Sequence, residues 1–239
     1  MQHFLVIFSL LFAAPLSAAE PPVTALCFAP DGKNLVAASQ TGLRIHNWPG
    51  LKVVSKPDSF QTSLANIRDL AFSPDGNHLA IAGGTPSEAG MFEVFSWPDG
   101  KRLSRFQGHS DSVSGIAWID DDSLAAASLD HETSVWNFGK NEPHRKLKGH
   151  SRGVTTVAIV RWQEKVTLVT AGLDQNLRVW ELTTGRQIRS LKNHTREVHQ
   201  LAVRPATKGL PMVASISRDH TVRLWQPTIG RMVRFARLE

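Results

Sequence analysis

The chain has no tyrosine, one cysteine and, beyond Ala19, no apolar run long enough to span a bilayer. Each absence removes a class of function. A lone thiol, Cys27, cannot close an internal disulfide or build a thiolate zinc cluster. A nucleic-acid stacking platform needs aromatic rings on a basic face. Here there is no tyrosine, and most of the seven tryptophans are taken up by a repeat. No G-x-S-x-G nucleophile element occurs. In "HTREVH", His194 and His199 are five positions apart, which does not suit a metal-ligating pair. No window carries a helical apolar period, and no like-charge block or polar low-complexity tract suggests a disordered tail. The expectation is a chain with no metal, no other cofactor and no nucleic-acid partner.

Residues 1–19 stand apart. "MQHFLVIFSLLFAAPLSAAE" is apolar from Phe4 to Ala14, then meets Pro15 and small residues at Ser17 and Ala19. A short apolar run ending in a small-residue site is the pattern of a secretory signal peptide, cut here after Ala19. The chain is then exported, periplasmic or secreted, with no membrane span once the signal is removed; an uncleaved anchor is the alternative. Leu26 is too large for the residue before a lipid-carrying cysteine. Cys27, beside Phe28 in an apolar strand pattern, is therefore expected as a buried structural thiol.

The net charge is +6, unevenly placed: from Arg178 onward twelve Lys and Arg meet four acids, Glu181, Glu197, Asp219 and Glu239. A basic end suits an acidic partner or an anionic surface. Scattered charge also simply solvates strand faces.

What is present is periodic. "TAGLDQNLRVWELTTGRQIRSLKNH" (170–194) aligns with "SISRDHTVRLWQPTIGRMVRFARLE" (215–239) at a constant offset of 45. Asp174 falls on Asp219, Trp180 on Trp225 and Gly185 on Gly230. "SLDHETSVWNF" adds Asp130 and Trp136, while Phe95 and His46 hold the tryptophan position in two earlier copies. The anchors 46, 95, 136, 180 and 225 define five units, about 23–60, 61–106, 107–147, 148–191 and 192–239. An F-x-P-D-G turn recurs in "FAPDGKNL" and "FSPDGNHL". Each unit divides into short alternating or β-branched runs split by Gly, Asp, Asn or Pro, with Asp–Gly turns suited to tight hairpins. Four antiparallel strands in each unit of about 40–45 residues make a β-propeller blade.

With these residues aligned, the chain resembles the WD-repeat (WD40) family from Val23 to Glu239. Gly108–His109, Gly149–His150 and Asn193–His194 carry the likeness, together with the Asp-x5-Trp element. The resemblance implies an all-β fold of four-stranded antiparallel blades, about five of them, as an incomplete seven-bladed ring. It also implies hydrogen-bonded tetrads inside single blades: His150, Thr170, Asp174 and Trp180, then His194, Ser215, Asp219 and Trp225. The third unit supplies His109, Asp130 and Trp136, but Ala126 takes the hydroxyl position and leaves that set incomplete. A buried polar set survives only when every member is bonded. Asp219 beside His220 thus reads as a blade staple rather than a catalytic pair. The first two units lack a Gly-His pair and carry Trp48 and Trp97 two positions late, so they are expected to rest on apolar packing. Five units leave three readings of the ring: part of a longer frame, completion of the propeller by another chain, or a ring of five.

Two function classes remain. One is a non-catalytic scaffold gripping a protein or peptide partner with loops on one face of the propeller. Arg152, Arg196, Glu197 and Arg218, beside the tetrads, are its candidate contacts. The other is a propeller enzyme or glycan-binding protein using the central pocket, which needs paired carboxylates aimed at the axis. The acids sit mainly in turns, which favours the scaffold.

Overall fold

The computed structural model describes residues 21–40, 42–54, 59–204 and 209–238; the signal peptide expected over residues 1–19 lies outside them. No helix among the described residues is long and apolar enough to cross a membrane. The chain folds as five antiparallel sheets arranged as a five-bladed β-propeller. Blade 1 holds β1 (Val23–Phe28), β2 (Asn34–Ser39) and β3 (Gly42–Asn47), its fourth position marked by a bridge between His46 and Val53. Blade 2 is β4 (Asp69–Phe72), β5 (His78–Thr85), β6 (Ala89–Ser96) and β7 (Arg102–His109). Blade 3 is β8 (Val113–Trp118), β9 (Ser123–Ser128), β10 (Glu132–Asn137) and β11 (Arg145–Lys148). Blade 4 is β12 (Val154–Trp162), β13 (Lys165–Gly172), β14 (Asn176–Glu181) and β15 (Gln187–Lys192). Blade 5 is β16 (Val198–Arg204), β17 (Met212–Ser217), β18 (Thr221–Gln226) and β19 (Arg231–Arg237). In each blade consecutive strands pair in order, as short turns between antiparallel neighbours require.

The P-D-G turns work as their chemistry suggests. Gly32 and Gly76 take the left-handed conformation, at φ 65° and 76°. Asp31 Oδ1 accepts the Lys33 N–H, and Asp75 Oδ1 accepts the Asn77 N–H, closing each turn from its own side chain.

Every blade has a front face, which carries the tryptophan position, and a back face. The back of blade 2 (Ala80, Ala82, Phe92, Val94) meets the front of blade 3 (Ile116, Trp118, Leu124, Trp136). Val169, Ala171, Leu177 and Val179 of blade 4 meet Leu201, Val213 and Trp225 of blade 5 in the same way. Equivalent cores join blade 1 to blade 2 and blade 3 to blade 4. No core among the described residues joins blade 5 to blade 1.

Polar staples cross the same boundaries. Near the axis Ser114 donates to the Val154 carbonyl, and Thr155 Oγ1 donates to the Val198 carbonyl at 2.6 Å. Asp69 Oδ2 accepts the Ile116 N–H at 2.8 Å. At the rim Arg145 donates to the carbonyls of Thr183 and Thr184, at 3.0 and 2.9 Å, and Arg189 to that of Thr228 at 3.0 Å. Cys27 departs from the expectation of a buried thiol: it is free and half-buried, paired opposite Val36 at the edge of the core between blades 1 and 2. Its partial burial still raises the thiol pKa.

Phe92 is fully buried, stacked on Phe106 at 4.6 Å and edge-on to Trp136 at 5.5 Å. Phe92→Ala is expected to cost about 3–5 kcal/mol, read as a lowered urea midpoint. Phe235→Ala, at a residue 60% exposed, should cost under about 1 kcal/mol.

Candidate functional site

In blade 4, Trp180 Nε1–H donates to Thr170 Oγ1 at 2.8 Å. An indole nitrogen can only donate, so the threonine oxygen is the acceptor and its own proton goes to His150 Nε2, 2.8 Å away. His150 Nδ1–H is then left to donate to Asp174 Oδ1 at 2.9 Å. Asp174 also accepts the Ser151 N–H and Arg178. Blade 5 repeats the chain through Trp225, Ser215, His194 and Asp219, with links of 2.8, 2.7 and 2.7 Å. Thr221, which sequence reasoning passed over, adds a 2.6 Å bond to Asp219.

Blade 3 corrects the expectation of an incomplete set. Ser134 lies on β10 directly opposite Ala126 on β9, and supplies the hydroxyl from there. It accepts from Trp136 at 2.6 Å and donates to His109 Nε2 at 2.6 Å, while His109 Nδ1 meets Asp130 at 2.8 Å. Cross-strand partners share one face of a sheet, so the hydroxyl can change strand without leaving the network. Blade 2 corrects the expectation of purely apolar packing. Glu93 holds the position of Ser134, two residues before the tryptophan position, and is fully buried. It accepts from Thr62 at 2.8 Å, from Ser63 at 2.7 Å and from Arg102 at 3.1 Å. Ser63 stands where the other blades place histidine, four residues before the residue that starts the inner strand elsewhere. In blade 1, His46 holds the tryptophan position, and its Nδ1 lies 3.1 Å from the Leu51 carbonyl.

The residue after each tetrad aspartate is left-handed: His131, Gln175 and His220, at φ 76°, 70° and 60°. His220 is therefore a turn residue, and its neighbour Asp219 spends its oxygens on His194, Thr195, Thr221 and Arg223. Burial opposes ionisation of Asp174 and Asp219. Their bonds to histidine, to backbone N–H groups and to Arg178 or Thr221 outweigh it and hold both carboxyls far below the ordinary range. Asp130 is shifted the same way, against its burial, by His109 and the Glu132 and Ser110 N–H groups. Burial lowers the pKa of His194, with Asp219 opposing.

The tetrad turns carry a rim. Arg152, Arg196, Glu197 and Arg218 come together where blades 4 and 5 meet. Arg152 lies 3.7 Å from Glu197 and donates to the Leu173 carbonyl, and the Arg218 N–H donates to the Glu197 carbonyl. A backbone N–H holds the Glu197 carboxyl below its ordinary range, helped by the charges of Arg218, Arg152 and Arg196. Three arginines around one glutamate leave two positive charges over.

Inside the ring lies a cavity of about 370 Å³, lined from all five inner strands and including Arg68, Asp69, Ser114, Thr155, His199 and Gln200. Asp69 is the one carboxylate among the lining residues. Burial pushes it up to about 6, against the Ile116 and Leu70 N–H groups that bond its two oxygens. A wider opening, about 590 Å³, adds Leu129 and Leu173 from the positions that precede Asp130 and Asp174.

Five segments, 14–47, 57–87, 100–137, 141–181 and 185–226, match the WD domain, G-beta repeat family. The chain belongs to the WD40-repeat family. Over 133 residues this WD40 protein is 30% identical to the UBP9-binding protein bun62 of Schizosaccharomyces pombe, covering 53% of the chain and 23% of that protein. It is 26% identical over 137 residues to a guanine nucleotide-binding protein subunit beta of Lymnaea stagnalis, covering 57% of the chain and 39% of that protein. The chain thus spans well under half the length of these two relatives.

Two outcomes follow from the tetrads. Ser134→Ala strands the Trp136 N–H in a buried site and is expected to cost about 1–3 kcal/mol. Adding Ala126→Ser should restore most of that loss in chemical denaturation, and a double variant no better than the single one would count against the shared network. A depressed carboxyl pKa adds stability that is full above the unfolded value, about 3.9, and is lost as pH falls toward the folded one. Asp174→Asn should therefore lower the melting temperature at neutral pH and flatten its fall below about pH 4.

Proposed function

We propose that this WD40 chain is an exported, non-catalytic scaffold that binds a protein partner through an acidic segment. The observation that carries the reading is the clustering of Arg152, Arg196 and Arg218 around Glu197, beside an opening with half-buried Leu129 and Leu173. Surplus positive charge next to an apolar recess suits a partner that offers carboxylates and an apolar anchor. Loops on stiff strands hold such groups at little entropic cost. The names of relatives, a binding protein and a G-protein β subunit, are those of proteins that work in assemblies. Export rests on the leader-like residues 1–19.

The alternative is a propeller enzyme or glycan-binding protein using the axial cavity. It requires two carboxylates flanking a scissile bond, whereas the cavity lining offers Asp69, whose oxygens are both bonded to backbone N–H groups. Arg196→Glu combined with Arg218→Glu is expected to weaken binding of a Leu-containing acidic peptide by about tenfold or more, by fluorescence anisotropy. Binding should also weaken with rising salt. Equal affinity for acidic and basic peptides, or glycan hydrolysis abolished by Asp69→Asn, would count against the scaffold.

A further inference from the structure

The fourth strand of a blade forms the outer wall of the propeller, and in blades 2 to 5 that wall carries charge of one sign. Lys and Arg number two on β7, three on β11, two on β15 and three on β19, and these strands hold no Asp or Glu. All of these bases except the half-buried Arg145 are exposed. Charged side chains on an edge strand keep it from pairing with another chain. Either sign would serve that end, and the third strands mix the two, with Glu93, Glu132 and Glu181 beside Arg178 and Arg223. Protection of the edge therefore explains the charge but not its uniform sign.

Strand register sets these charges in rows. Lys148, Lys192 and Arg237 pair with Glu132, Asn176 and Thr221, each two residues after a tetrad aspartate, and so stand at one height on three consecutive blades. Arg145, Arg189 and Arg234 pair with the residue before the tryptophan and make a second row, further from the tetrad turns. Lys148 lies 2.8 Å from Glu132 with its side chain 71% exposed, a surface contact that costs little to exchange for another anion. A third recurring position is apolar. Pairing skips Leu103, Ile188 and Val233 at a bulge in blades 2, 4 and 5, and they are 39%, 38% and 37% exposed.

We propose that the outer wall of blades 3 to 5 binds a linear acidic polysaccharide that runs around the propeller and crosses the outer strands in turn. Carboxylates or sulfates along such a chain meet Lys148, Lys192 and Arg237, and the C–H faces of its sugar rings lie on Ile188 and Val233. A membrane is flat, whereas the outer strands of successive blades face successive directions, so a plane reaches too few of them. A stacking surface for single-stranded nucleic acid needs aromatic rings; on these outer strands Phe106 is buried and Phe235 alone is exposed. A duplex is too stiff to follow so tight a curve. The wall is separate from Arg152, Arg196 and Arg218 at the tetrad turns. Export, as proposed above, would bring the protein to such polymers; the charge and the register hold without it.

Fluorescence anisotropy with labelled polygalacturonate of about twenty residues and with labelled dextran sulfate tests this, neutral dextran serving as the blank. Both acidic chains should bind, neutral dextran should not, and affinity should fall with rising salt. Lys148→Gln, Lys192→Gln and Arg237→Gln together are expected to weaken binding by about tenfold or more. Lys33→Gln, Lys140→Gln and Lys165→Gln remove the same charge at exposed sites away from the outer strands, and should weaken it by less than about threefold. Both triples should keep the parent's melting temperature. Arg196→Gln with Arg218→Gln should also leave polysaccharide binding within about threefold, which separates this surface from the one proposed for an acidic protein segment. Digalacturonate, too short to reach a second blade, should bind about tenfold or more weakly per uronate. Equal losses in the two triples would mean attraction to net charge alone and would overturn the proposal, as would failure of both acidic chains to bind. Tighter binding of oligo(dT), or of phosphatidylglycerol–phosphatidylcholine vesicles, that the outer-wall triple abolishes would overturn it as well.

Discussion

A blade of four short strands cannot bury its apolar residues alone; it is stable because the back of one sheet packs on the front of the next. The constraint shows in residue size. Alanines at positions 80, 82, 125, 126, 127 and 171 are sealed at blade boundaries, letting sheets approach, while Trp136, Trp180 and Trp225 fill the wide outer part of each wedge. Glycine serves the same end where backbones meet. A Cβ on Gly115 would lie 2.9 Å from the Thr156 backbone of the neighbouring blade.

Within that packing the polar networks are interchangeable in chemistry and fixed in place. Thr170 and Ser215 act from the second strand, Ser134 from the third, and Glu93 takes the Ser134 position with Ser63 in place of histidine. What is preserved is the requirement that a buried donor or acceptor find a partner. An indole N–H at the outer edge demands an oxygen within reach, and either of two paired strands can offer it. Where phenylalanine replaces tryptophan in blade 2, that demand disappears and a carboxylate can occupy the site with hydroxyl and guanidinium partners.

The fold was legible because the repeat is written in spacing: the tryptophan positions, the P-D-G turns and the Gly-His pairs all recur in register. The blade 4 and blade 5 networks were legible for the same reason. Ser134 was not, since its role depends on standing opposite Ala126, a pairing that no linear offset displays. Glu93 was hidden likewise: its partners lie thirty-one, thirty and nine residues away along the chain. The grouping of Arg152, Arg196 and Arg218 around Glu197 could be suspected from their position beside the tetrads, but only the side-by-side placement of blades 4 and 5 brings them together. The arginines that join blade to blade, Arg145 and Arg189, were missed entirely. Their signal was present as a basic residue nine places after each tryptophan, a spacing without meaning until adjacent turns are known.

The way these blades are braced also shapes how they come apart. Among the described residues, blade 3 leans on neighbours from both sides, whereas blades 1 and 5 each share a core with one neighbour. In such a linear stack, cohesion is a sum of adjacent couplings, so opening starts at the extremities and works inward. A graded, fraying molecule results, whose middle persists as a folded remnant after its ends have let go.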